Sequence, residues 1–268
     1  MLRLMRSELF RLRKRPQSWV MTLIMLAGVV ATYVTMAVAA IVMRDPNEPS
    51  DLIAPGRIFE SGMQLVTGLG YIIVAIVAAS IIGNEYGWGT IRPLVARARS
   101  RHALIAAKFL TLGLFIVCLL LIGLIASILC STIGSLVVGT EVSIGAGTLA
   151  DWFVSFLRLL VAQLPYAALG FFATLLARST AVGIGVGIGI AVLEAAIWSL
   201  VALVTDALEP VRRLGLDYSS TVLFHINAHT DDIARGEAVR AVVILLTWTA
   251  LFVGASFWVF QQRDVTTD

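Results

Sequence analysis

Apolar residues in this chain come in long blocks, separated by short polar stretches. A helix needs about 20 mostly apolar residues to cross a bilayer's hydrocarbon, and six blocks reach that length: 19–43, 62–82, 109–130, 152–176, 180–205 and 239–260. The third block stays apolar as far as Val138. Two spans and a turn would need more than about 40 residues, and no turn signal interrupts it, so the pattern predicts one tilted helix with an outer extension. Positions 177–180 read as a tight turn in which Ser179 or Thr180 caps the fifth helix. There is no internal repeat, low-complexity tract or soluble domain. Residues 1–268 form one all-α membrane domain with six transmembrane helices.

Ahead of the first block, residues 1–16 place Leu2, Met5, Leu9 and Leu12 at helical spacing with basic residues around the other face. That pattern predicts an amphipathic helix lying in the membrane interface, ended by Pro16. The distribution of charge then orients the chain. The N-terminal segment, the second and fourth loops and the tail together carry thirteen Lys and Arg; the first, third and fifth loops carry six, with twelve acids. Basic loops stay cytoplasmic, so both termini and loop 83–108 are expected inside and loop 206–238 outside. Composition agrees: 59% hydrophobic, 14% charged, mean hydropathy +0.91, values that exclude an ordinary soluble domain.

Several stretches invite a chemical reading. "GIGVGIG" (183–189) follows no strand and precedes no Lys-Ser/Thr pair, so it is no nucleotide loop; its two overlapping small-xxx-small pairs, Gly183/Gly187 and Gly185/Gly189, predict close helix packing. Arg158 and Glu194 are ionisable residues inside predicted spans, where charge is costly and usually faces a bundle interior or aqueous path. Their depths differ by about 7 Å, and they are expected to pair or to line one outward cavity. Pro165 should kink the fourth span and joins them as a translocation-pathway residue. His225 and His229 lack the further ligands a zinc site needs, and loop 206–238 reads as two short helices dipping into the outer leaflet. Cys118 and Cys130 read as buried thiols. No GxSxG, CxxC or other catalytic constellation is present.

The stretch "GNEYGWGTIRPLVARARSRHALIAAKF" (83–109) sets Arg92, Arg97, Arg99, Arg101 and Lys108 against one acid, Glu85. About 26 residues between two spans cannot hold a nucleic-acid reader module; membrane lipid is the plainer partner for its arginines. The order Glu85, Gly89-Thr90, Arg92, Leu94-Val95, Ser100-Arg101, Lys108 resembles the cytoplasmic loop of ABC-2 type transporter permeases. Pro93 departs from it, at a position where many relatives carry leucine. The basic entry helix is similar to that family's elbow helix, and the long loop before the last span and the terminal "FQQRDV" also resemble it. The resemblance implies that loop 83–108 is a coupling helix seated in a separate ATP-binding subunit, which carries ATP and Mg. This chain would be no enzyme and bind no cofactor, but work with a second permease copy or a paralogue in a bacterial cytoplasmic membrane. Glu85, Trp88, Gly89, Thr90, Arg92, Arg97, Arg99 and Arg101 would couple to the ATPase: the arginines by charge, Trp88 by burial against it, and Glu85 by holding the turn or meeting a basic residue of the partner.

The leading expectation is therefore the permease of an ATP-driven exporter of an amphipathic drug, peptide or lipid. Two other classes compete: a carrier driven by an ion gradient through Glu194, and a membrane scaffold that transports nothing. Dependence on a partner's ATPase separates the first from the others.

Overall fold

The computed structural model describes residues 2–43, 53–97, 100–139, 146–205, 207–227 and 235–262. Its described residues form helices joined by short turns. In chain order the helices are α1 (Leu2–Lys14), α2 (Pro16–Met43), α3 (Gly62–Gly87), α4 (Ile91–Arg97), α5 (Arg101–Val138), α6 (Ala146–Ala177), α7 (Thr180–Ala202), α8 (Glu209–Arg212), α9 (Leu216–Asn227) and α10 (Arg235–Gln262), with a 3-10 turn at Pro55–Arg57. Six of them, α2, α3, α5, α6, α7 and α10, are long and apolar enough to cross a membrane.

The boundary between the first two helices differs from expectation in one respect. α1 already ends at Lys14, and Pro16 opens α2, where a missing N–H is no loss and the fixed φ suits a first turn. The corner is closed by Trp19, whose Nε1 donates 2.8 Å to the Arg13 carbonyl, one of the acceptors that a helix end leaves unpaired. α5 is a single helix of 38 residues, as the uninterrupted run predicts. At about 57 Å it far exceeds the roughly 30 Å hydrocarbon layer. Ser100 starts it, its hydroxyl accepting from the Ala103 N–H at 3.1 Å, and Gly139 ends it in the left-handed conformation, φ 85°.

Burial divides the spans. The apolar windows of α3 and α6 are 67% and 72% buried, against 17% for α2 and α10 and 6% for α7. α3 and α6 are thus the central pair. They meet each other and α7 at positions where only glycine fits: a Cβ on Gly170 of α6 would lie 2.7 Å from the Ala75 carbonyl oxygen of α3, and one on Gly187 of α7 2.7 Å from the Ala75 Cβ. Gly183 lies equally close under Thr174, and Gly83 under Thr180. Of the two predicted small-residue pairs, Gly183/Gly187 is therefore the packed one, while Gly185 and Gly189 have nothing within 4 Å. Backbones brought this close gain dispersion contacts that lipid cannot supply.

Two local expectations are corrected. Ser179 occupies the N-cap position of α7, but no side-chain hydrogen bond is made there; the preceding Arg178 takes φ 53°, and the turn is held by the backbone, Gly183 N–H to Ser179 carbonyl at 3.2 Å. Cys118 is exposed rather than buried, and Cys130 is half-buried; both are free thiols. α6 continues through Pro165 without a break in helix.

Candidate functional site

The resemblance-bearing loop begins where α3 ends. Glu85 lies in the last turn of α3, and its carbonyl accepts the Thr90 N–H at 2.9 Å. Gly89 takes φ 65°, a conformation L side chains avoid, and so lets the chain reverse into α4. Pro93 sits in the first turn of α4, where its missing N–H would have had no helical partner. Trp88 stands out at the tip, 68% exposed. The backbone of Arg92 and Arg97 belongs to α4; Arg99 lies outside the described residues.

Glu85 itself points inward. It is 2% exposed, and its Oε1 lies 2.5 Å from Lys108 Nζ, which is fully buried in α5. Lys108 also reaches Glu8 Oε2 of α1 at 3.2 Å. Arg11 closes the set from α1, 3.2 Å from Glu8 and 3.5 Å from Glu85. Two carboxylates and the Lys108 ammonium, from α1, α3 and α5, are thus shut off from water, and the part-exposed Arg11 completes the charge balance. Arg15 supports the same corner: its guanidinium donates to the Ser80 carbonyl at 3.0 Å, while Gln17 donates to the Ser80 hydroxyl at 2.7 Å. Burial pulls the Arg15 pKa below its ordinary value, and Glu85 and Glu8 oppose that pull. The expectation that Glu85 meets a partner's basic residue gives way to an ion pair within the chain.

Between α1 and α4 a recess of about 600 Å³ opens beside this cluster, lined by Phe10, Arg11, Lys14, Trp88, Pro93 and Leu94 among others. Arg101 sits at the same end of the bundle, its guanidinium donating to the Gln261 carbonyl of α10 at 3.3 Å.

Arg158 and Glu194 do not pair. Arg158 donates to Asn227 Oδ1 at 3.2 Å, and Asn227 donates onward to the Ser155 carbonyl at 3.3 Å. The Glu194 carboxylate lies against the start of α9, at Gly215, Leu216 and Asp217, with Trp198 beside it. A Cβ on Gly215 would collide with Glu194 Oε1. The acid therefore holds the N-terminus of α9 and the guanidinium its C-terminal residue, each at the end of the helix dipole that favours its sign. Pro165 is on α6, about two turns after Arg158 and two residues after Gln163, whose amide is buried with no partner. Among the described residues no group of His, Cys, Asp and Glu is arranged to hold a metal ion; His229 falls outside them.

Glu8, Arg11 and Asn227 escape a reading by sequence block. Glu8 carried a signal: it is the only acid before Asp45 and shares the apolar face of α1 with Met5 and Leu12. Asn227 carried none.

Two measurements test this geometry. Lys108→Met leaves the buried Glu8 and Glu85 with only the part-exposed Arg11 to balance them and should cost about 3 kcal/mol; adding Glu85→Gln to it should restore more than half of the lost melting temperature in detergent. Exchanging the ends of α9, Glu194→Arg with Arg158→Glu, should lower the melting temperature at least as much as the two single changes summed, because each charge then opposes the helix dipole.

Residues 4–194, including most of α1, the whole of α4 and the Glu8–Lys108–Glu85 cluster, match the family described as ABC-2 family transporter protein. A 65-residue stretch is 43% identical to the uncharacterized protein YhcI of Bacillus subtilis (strain 168), covering 24% of this chain and 20% of that protein; the match thus spans about a fifth of the relative's length. With six candidate spans and most of its length inside the family match, the chain is a multi-pass membrane protein that belongs to the ABC-2 transporter permeases, a family without an ATPase domain of its own.

Proposed function

We propose that this chain is the membrane-spanning subunit of an ATP-driven exporter and that α4, with Trp88 at its tip, is the element its ATP-binding partner pushes. The observation that carries this reading is the buried charge cluster at the base of α4. A docking helix transmits force only if its mount is stiff, and here the mount ties α3 to α1 and α5 through ion pairs of 2.5–3.2 Å. The exposed indole, the basic rim of the recess and Leu94 give the mix of aromatic, cationic and apolar groups that carries interface energy. Both termini and α4 would then lie in the cytoplasm, in accord with the excess of Lys and Arg on those segments. Arg92, Arg97, Arg99 and Arg101 would add charge complementarity around Trp88.

A working unit needs two permease copies, or this chain and a paralogue. The outward faces of α7 and α2 support that, since α7 keeps Gly185 and Gly189 free for close approach. The cargo would be amphipathic, moving along a path near α6 and α7, with Pro165 easing motion of α6 and with Arg158 and Glu194 holding α9 over it.

The test is purification of the tagged chain from its native membrane together with the ABC ATPase that this reading requires. The complex should co-purify, and export should stop when the ATPase is disabled. Trp88→Ala should weaken association about 30-fold, the size of an aromatic hot spot. Export that continues without the ATPase, collapses with an uncoupler and is lost in Glu194→Gln would instead establish an ion-gradient carrier.

A further inference from the structure

On the flank of α1 away from α4, three helices leave a narrow trough of about 290 Å³. Leu9 and Leu12 of α1 roof it. Its floor is a stripe on α5, Leu114, Cys118 and Ile122, each four residues apart and none packed against another helix closely enough to be buried. Ser18 and Thr22 of α2 form the far wall, and the Thr22 hydroxyl is already used by the Ser18 carbonyl at 2.9 Å. Arg13 and Trp19, both exposed, complete the lining.

We propose that this trough binds one anionic phospholipid, with its phosphate at Arg13 and one acyl chain laid along the α5 stripe. Three observations select that occupant. The first is shape. The stripe from Leu114 to Ile122 is about 12 Å long, and the short side chains of Ser18, Thr22 and Cys118 lie between the larger Leu9, Leu12 and Trp19, an elongated slot that suits an extended hydrocarbon chain. The second is polarity along the trough. α2 and α5 both run away from the α1 end here, so the cation marks one end and the apolar stripe descends from it into the bilayer. The third is charge. Glu8, the acid of α1, is buried and neutralised by Lys108 and Arg11, so Arg13 and Lys14 present unopposed positive charge at the interface. A lipid seated there would fill the gap between α1 and the spans it rests on, bracing the same helix that the charge cluster anchors.

The proposal is tested on the purified full chain in neutral detergent, titrated with dioleoyl-phosphatidylglycerol or dioleoyl-phosphatidylcholine, with adducts counted by native mass spectrometry. The first phosphatidylglycerol should bind about fivefold more tightly than phosphatidylcholine, the increment for one arginine at an anionic headgroup. Arg13→Gln should erase that preference, and Cys118→Trp, which fills the trough, should remove the tight adduct altogether. Equal uptake of phosphatidylglycerol by wild type and Cys118→Trp overturns the proposal. A second readout needs no bulky substitution: in Cys130→Ser, phosphatidylglycerol should slow the reaction of Cys118 with N-ethylmaleimide at least threefold, while glycerol phosphate alone should not. An unchanged rate with the lipid overturns the proposal equally, and protection by glycerol phosphate alone would overturn the seating of an acyl chain.

Discussion

Four charges hold the base of the resemblance-bearing loop. Glu8, Arg11, Glu85 and Lys108 come from three helices and from positions as much as a hundred residues apart, yet lie within 2.5–3.5 Å of one another with the carboxylates and the ammonium shut off from water. Buried ion pairs add little net stability over an apolar core, since desolvation offsets most of the Coulomb gain. Their effect is positional. Any displacement of α3's last turn relative to α1 or α5 would separate charges in a low dielectric, so these three elements share one allowed arrangement. A load applied to α4 therefore has a defined path: through Glu85 into α3, through Lys108 into α5, and through Glu8 into the interfacial helix.

Beyond that corner the load meets a bundle with a stiff middle and loose flanks. α3 and α6 are the buried pair, and α7 is drawn against them at Gly183 and Gly187, where a side chain would not fit, and at Thr180 over Gly83. At the end remote from α4, Glu194 and Arg158 hold the two ends of α9. Charged groups in the membrane thus act at both ends of the bundle, and small residues act between them. α2, α7 and α10 show most of their surface outward, the surface available to lipid or to a second permease.

The spans were legible because span length is a blunt requirement: all six blocks became helices, and the run through Val138 became one helix because nothing in it could turn. The organisation of the basic loop was legible in part. Gly89 makes the reversal and Trp88 is displayed, but the loop's two motif ends, Glu85 and Lys108, face each other rather than the outside. Sequence spacing cannot tell an acid that awaits a partner from one that has found a lysine 23 positions on. Glu8 was readable in principle, as a carboxylate on the apolar face of a basic helix. Arg158 and Glu194 were readable as important, but their relation was not: both answer to α9, whose placement depends on tertiary packing that no local pattern encodes. The same holds for Cys118, whose exposure follows from which face of α5 the neighbouring helices leave uncovered.

The central claim is that α1 and α4 move as one body because the buried charges join their mounts. Spin labels at Phe10 on α1 and Ala96 on α4, both exposed positions, allow it to be measured by pulsed electron resonance in the complex with its ATPase. The α1–α4 distance distribution should stay the same between nucleotide-free and ATP-trapped states while a label pair across the proposed permease dimer shifts. A change of several ångströms between positions 10 and 96 on trapping ATP would contradict the account.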